Sequence, residues 1–166
     1  MTDRTLRIVV GVLAAVGVAV AGYLTYARFT HATIACTTGG CETVQSSRYA
    51  EVAGIPVALL GLAAYVAILA TAFSRSELAR AAAAAIALGG AAFSAYLLYV
   101  QFALIEALCQ WCLVSDTVIG LLAIATVLRL AADHYGKTAN AIGSSTDAAA
   151  PRRREGSSRH VRTSGR

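Results

Sequence analysis

IVVGVLAAVGVAVAGYLTYA, residues 8–27, carries no charged side chain from its first position to its last. A helix rising ~1.5 Å per residue needs about 20 such residues to cross ~30 Å of hydrocarbon, with its backbone polar groups satisfied internally. This stretch meets that requirement and predicts a membrane span. Comparable blocks follow at residues 55–73, 81–102 and 113–131, built almost wholly of apolar residues, Gly, Ser, Thr and Tyr. Gln101 and Asp116, near the ends of the last two blocks, stand out as polar residues. Of 166 residues 57% are hydrophobic and 14% charged, against about 45–50% and ~25% in soluble domains. A soluble single-core protein is excluded, and the expected fold class is all-α: an integral membrane four-helix bundle.

The formal charge of +5 would suit a nucleic-acid binder, but its placement argues against one. Arg4 and Arg7 precede the first block, Arg75 and Arg80 lie between the second and third, and Arg129, Lys137 and the Arg152-Arg153-Arg154 run attend or follow the fourth. The two alternate connections hold only Arg28 and Arg48. Under the positive-inside rule both termini and the 74–80 loop are cytoplasmic, while the outward loops, about 28–54 and 103–112, face the other side. A cleaved signal peptide is the rival reading of the first block, with Arg4 and Arg7 ahead of it and Ala19 and Ala21 as a small-residue site. The apolar run is longer than most signal cores, so a retained helix is expected. The chain divides into a cytoplasmic N-terminus (1–7), a membrane domain (8–131) and a basic tail (132–166). From about Gly143 that tail lacks an apolar face to offset the entropy of ordering, so it is expected to be disordered, enforcing topology or resting on anionic lipid rather than binding nucleic acid.

The four cysteines all fall in the outward loops: Cys36 and Cys41 in the first, Cys109 and Cys112 in the second. Packing alone would scatter cysteines through the apolar blocks, because cysteine is readily buried. Confinement to one face suggests disulfide chemistry in an oxidising compartment. Cys109-Gln110-Trp111-Cys112 opens the fourth block, where the free N–H groups and dipole of a helix N-terminus favour a thiolate. In Cys36-Thr37-Thr38-Gly39-Gly40-Cys41 the two glycines let the chain turn back and bring the sulfurs together, which suits a mobile shuttle. Residues 46–52 after it are expected to form a short amphipathic helix capping the bundle, ended by Gly54-Ile55-Pro56. Asp116, one turn past Cys112, serves either as a favourable charge near a helix start or in proton handling. Two non-redox alternatives stand beside this reading: a zinc site, since a CxxC is half of a common ligand set, and a scaffold with inert structural disulfides.

The sequence resembles the vitamin K epoxide reductase family in its bacterial, disulfide-forming branch. The resemblance rests on the loop cysteine pair, Val44-x-Ser46-Ser47-Arg48-Tyr49, Gly54-Ile55-Pro56-Val57 with Gly61, and Cys109-x-x-Cys112. It covers about residues 6–131. It implies a four-helix bundle around a quinone pocket and an electron relay without metal. Cys36 would meet a separate extracytoplasmic partner of thioredoxin fold, Cys41 would exchange with Cys109, and Cys112 would reduce the quinone, menaquinone or ubiquinone. Ser46 and Ser47 match a family serine pair that helps position the capping segment, and with Val57 and Asp116 they are the candidates that the resemblance implies for the quinone pocket. Val57 and Asp116 stand where animal members carry an Asn and a Tyr tied to vitamin K chemistry, so quinone reduction is expected rather than epoxide reduction. The protein would be a multi-pass thiol oxidase of the bacterial cytoplasmic membrane, supporting disulfide bond formation.

Overall fold

The computed structural model describes residues 3–74 and 76–149. Among these, α1 (Asp3–Thr30), α3 (Val57–Ala72), α4 (Glu77–Val100) and α5 (Gln110–Ala149) carry the four apolar blocks. Three stretches, Arg4–Thr30, Glu77–Ile105 and Gln110–Ala132, are long and apolar enough to cross a membrane. The remaining helix, α3, has 16 residues, which at ~1.5 Å per residue leaves it shorter than the hydrocarbon core.

The core of the bundle joins all four helices. Val10 and Ala14 of α1, Tyr65 and Ile68 of α3, Ala87 of α4, and Ile119 and Leu122 of α5 form one buried cluster. Small residues permit the close approach. An added Cβ at Gly17 would stand 2.3 Å from the Tyr65 ring, and one at Gly90 would stand 3.0 Å from Ile119. Tyr65 is itself fixed at its far end, where its hydroxyl donates to the Ser115 carbonyl oxygen at 2.8 Å. Its ring therefore ties α1, α3 and α5 together.

The inner end of α3 is closed by two guanidinium groups. Arg7 Nη2 donates to the Phe73 carbonyl at 2.6 Å, and Arg129 Nη1 to that of Ala72 at 3.0 Å. A helix C-terminus presents unpaired carbonyls and the negative end of its dipole, so cations there satisfy both needs. Arg129, which the sequence presents only as an orienting charge, is buried and caps a helix.

The outer connection departs from the expected single capping helix. Residues 46–52 form no continuous helix. A short helix α2 (Cys41–Gln45) and one 3-10 turn (Arg48–Ala50) lead into a two-residue ribbon, β1 (Glu51–Val52) paired antiparallel with β2 (Ile55–Pro56). The physical reason lies in the serines and the turn residues. The hydroxyls of Ser46 and Ser47 donate to the Glu42 and Val44 carbonyls, ending α2. Ala53 and Gly54 both take positive φ, 50° and 81°, as a tight hairpin requires. The Arg28–Glu51 ion pair ties this ribbon to α1.

At the other end, α5 runs to Ala149, so the boundary expected at Ala131 marks the end of the apolar sequence and not of the helix. Alanines at 131, 132, 139, 141, 148 and 149 favour this continuation, since alanine has the highest helix propensity. The described chain divides after Asp133 into two units, and the bundle belongs to the first. The Arg152-Arg153-Arg154 run and the rest of the expected tail from 150 lie outside the described residues.

Gly17→Ala is expected to destabilise the bundle by about 1–3 kcal/mol, because a buried ring held at both edges cannot retreat from the new methyl. Gly120→Ala, at a position with nothing within 4 Å of the added carbon, is expected to leave stability unchanged or slightly raised. Thermal unfolding of the purified proteins in detergent checks both, and equal midpoints for Gly17→Ala and the parent would refute the packing account.

Candidate active site

The two cysteine-bearing loops meet at one end of the bundle. Cys36 and Cys41 are joined in a disulfide, with their Cα atoms 6.0 Å apart, while Cys109 and Cys112 are free thiols. Cys41 and Cys109 are both fully buried and share one small apolar cluster with Val44. Cys36 packs at the rim of that cluster and is half-buried. The four cysteines are therefore brought together around one cluster, Cys41 and Cys109 buried within it and Cys36 and Cys112 packed against it.

Gly39 and Gly40 achieve this by different means. Gly39 has φ of 75°, the left-handed region that glycine adopts without strain. Gly40 has an ordinary helical backbone, but an added Cβ would stand 2.6 Å from the Leu108 carbonyl oxygen and 2.7 Å from its nitrogen. Glycine is needed at 40 so that the first loop can lie directly on the second. The pair expected to be mobile is thereby seated on the peptide next to Cys109. The Thr38 hydroxyl also donates to the Leu108 carbonyl, at 2.9 Å.

Cys109 begins α5 as its N-cap. Its carbonyl accepts from Leu113 N–H at 3.0 Å, and its sulfur accepts from Cys112 N–H at 3.4 Å. Its own N–H donates at 3.0 Å to Oε1 of Gln101, a buried side chain presented where α4 opens into a wide π turn (Gln101–Ile105). Gln101 was visible in the sequence as a polar residue in an apolar block, but its task of holding the Cys109 backbone was not. A hydrogen bond from the Cys112 thiol, aided by the N–H groups of Cys112 and Trp111, lowers Cys109 to about 7, against the opposing effect of burial. Cys109 precedes the apolar span.

Beside Cys112 the bundle forms a partly open cavity of about 400 Å³, within the range of small-molecule sites. Val57, Gly61, Phe93, Leu97 and Ile119 supply apolar walls, and Cys112, Ser115 and Asp116 supply the polar side from α5. Gln45 reaches down from α2 and donates through Nε2 to the Cys112 sulfur at 3.6 Å. The Ser94 hydroxyl donates to Asp116 Oδ1, while Asp116 Oδ2 is buried without a protein partner. Of the expected pocket residues, Ser47, Val57 and Asp116 line this cavity. Ser46 does not: it borders a separate outer depression with Arg28, His31 and Glu42. Tyr65 and Ser94, which also line the cavity, had no sequence signal apart from being polar groups within apolar blocks.

A disulfide stacked on a dithiol at the end of membrane-length apolar helices defines a membrane thiol–disulfide oxidoreductase. Residues 8–127 match the model of the vitamin K epoxide reductase family, and the chain belongs to that family.

Thiolate absorbance of the reduced inner pair is expected to titrate with a midpoint near 7, the lowered value of Cys109, rather than at the ordinary thiol value of 9.0. The thiolate fraction thus rises between about pH 6 and 8. Cys112→Ala should move the midpoint upward, because it removes the principal bond holding the thiolate. A midpoint that stays near 7 in that variant would contradict this assignment.

Proposed function

We propose that this protein is a thiol:quinone oxidoreductase of the disulfide-forming branch, withdrawing electrons from a soluble partner and delivering them to a membrane quinone. The observation that carries the reading is the placement of the two pairs: a disulfide with one half-buried sulfur outside, and a dithiol with one sulfur on an apolar cavity inside.

The cycle balances as follows. A thiolate of the partner attacks the Cys36 sulfur, freeing Cys41; the partner's second thiol then resolves the mixed disulfide, leaving the partner oxidised and the loop pair reduced. The Cys41 thiolate attacks Cys109 of the inner disulfide and frees Cys112, after which Cys36 attacks Cys41 and restores the loop disulfide. The inner dithiol then returns to a disulfide as two electrons and two protons pass to the quinone, giving the quinol. A loop disulfide above an inner dithiol is the state that stands ready for this last step.

The cavity suits a quinone head group. Its volume and apolar walls match a flat ring, and Cys112 offers the reducing sulfur at one side. Asp116 Oδ2, buried and without a protein partner, is placed to exchange a proton with a quinone oxygen. Val57 at the opening turn of α3 supplies an apolar contact in place of an amide. The partner class that fits is a separate extracytoplasmic oxidant of thioredoxin fold. The arginine distribution supports cytoplasmic termini and an active site on the outer face of a bacterial cytoplasmic membrane. The scaffold alternative, with structural disulfides or zinc, is disfavoured because Cys36 and Cys41 are spent in one disulfide while Cys109 and Cys112 remain thiols.

Cys109→Ala and Cys112→Ala are each expected to abolish quinone reduction in an absorbance assay. Cys36→Ala should block oxidation of a protein dithiol but spare that of dithiothreitol, which is small enough to reduce the inner pair directly. Asp116→Asn should slow quinone reduction by roughly tenfold or more while leaving exchange between the cysteine pairs unchanged. Wild-type turnover by Cys112→Ala protein would refute the relay.

A further inference from the structure

Between the inner cysteines stand Gln110 and Trp111, to which the relay assigns no chemistry. Both side chains turn away from the cavity and grip the first loop around Cys36. Gln110 Oε1 accepts from the Thr37 N–H at 3.0 Å and also from the Thr37 hydroxyl, while its Nε2 donates to the Ala35 carbonyl at 3.3 Å. Trp111 Nε1 donates to the same carbonyl at 2.7 Å. The Trp111 ring lies against Tyr23 of α1, with centroids 5.1 Å apart, and the Tyr23 hydroxyl accepts from Ala35 N–H at 3.0 Å. Both backbone groups of Ala35 and the N–H of Thr37 are thus held, one residue to either side of Cys36.

We propose that Gln110 and Trp111 are positioning residues for the internal electron transfer: they hold the first loop in register so that Cys41 is presented to Cys109. The proposal rests on the relay described above and deepens it. Disulfide exchange needs an attacking sulfur aligned with the bond it breaks, so orientation is rewarded as well as proximity. The Gly40–Leu108 contact sets how closely the loops approach, and it leaves the segment before Cys36 free to pivot. The bonds from Gln110 and Trp111 remove that freedom. A dipeptide that in an open CxxC would face a foreign protein is here occupied by the chain's own loop, which leaves the partner to engage at Cys36.

The test uses the full chain in detergent carrying Cys36→Ser and Cys112→Ser, so that Cys41 and Cys109 alone remain. Equilibration with oxidised and reduced glutathione, in which one glutathione disulfide and the two thiols give the Cys41–Cys109 disulfide and two glutathione thiols, reports their effective concentration by peptide mass mapping. Adding Gln110→Ala should lower it about tenfold, the effect of losing one side chain's hydrogen bonds. Gln110→Glu, which keeps the acceptor and loses the donor, and Trp111→Phe, which keeps the ring and loses the N–H, should fall between. Gln110→Ala should keep the parental thermal unfolding midpoint in detergent, a readout that general damage to the bundle would lower. Unchanged effective concentrations in Gln110→Ala and Trp111→Phe would overturn the positioning role. So would a fall in that midpoint accompanying the loss. A parent that forms no Cys41–Cys109 disulfide would instead overturn the relay itself.

Discussion

Gly40 resting on the Leu108 peptide is the contact on which the chemistry depends. Two sulfurs from loops about 70 residues apart must come within exchange reach, and only a residue without a Cβ allows the backbones to lie this close. Once the loops meet, other features follow from ordinary rules. Cys41 and Cys109 become buried neighbours, while Cys36 remains at the rim and Cys112 is left on the cavity side. The two buried sulfurs thus lie between a half-buried one at the rim and one that lines an apolar cavity, the arrangement on which the proposed relay rests.

The bundle beneath serves that arrangement by two kinds of fit. Glycine against a ring, at Gly17 and Tyr65, draws α1 and α3 together and fixes Ser115 on α5, one residue before Asp116. Guanidinium against carbonyl, at Arg7 and Arg129, closes the inner end of a helix that is short for a membrane. The outer end of the same helix begins at the β ribbon, so the capping segment and the cavity wall are consecutive in the chain.

Much of this was legible beforehand, for identifiable reasons. Uninterrupted apolar blocks report their spans directly because hydrocarbon tolerates no unpaired backbone, and cysteines confined to two loops report a redox face. The placement of Cys109 at a helix start was readable from the CxxC at the edge of a block. What the sequence concealed was tertiary. Ser46 and Ser47 are both expected at the pocket, yet only Ser47 lines it, and both hydroxyls turn back to α2 carbonyls where a capping helix over 46–52 was expected. Gly39-Gly40 looks like a flexible pair, but one glycine answers a φ requirement and the other a lack of space. Gln101, Gln110 and Trp111 carry no motif of their own, because their roles arise from partners many residues distant.

The central claim is that the inner dithiol, and not the loop disulfide, passes electrons to quinone. It is tested most directly by a single turnover without oxygen. Protein prepared with the Cys36–Cys41 disulfide and a reduced inner pair is mixed with one equivalent of a short-chain quinone, and its disulfides are mapped by mass spectrometry. The account predicts one Cys109–Cys112 disulfide for each quinol formed, with Cys36–Cys41 intact throughout. Quinol appearing while Cys109 and Cys112 stay reduced would contradict it.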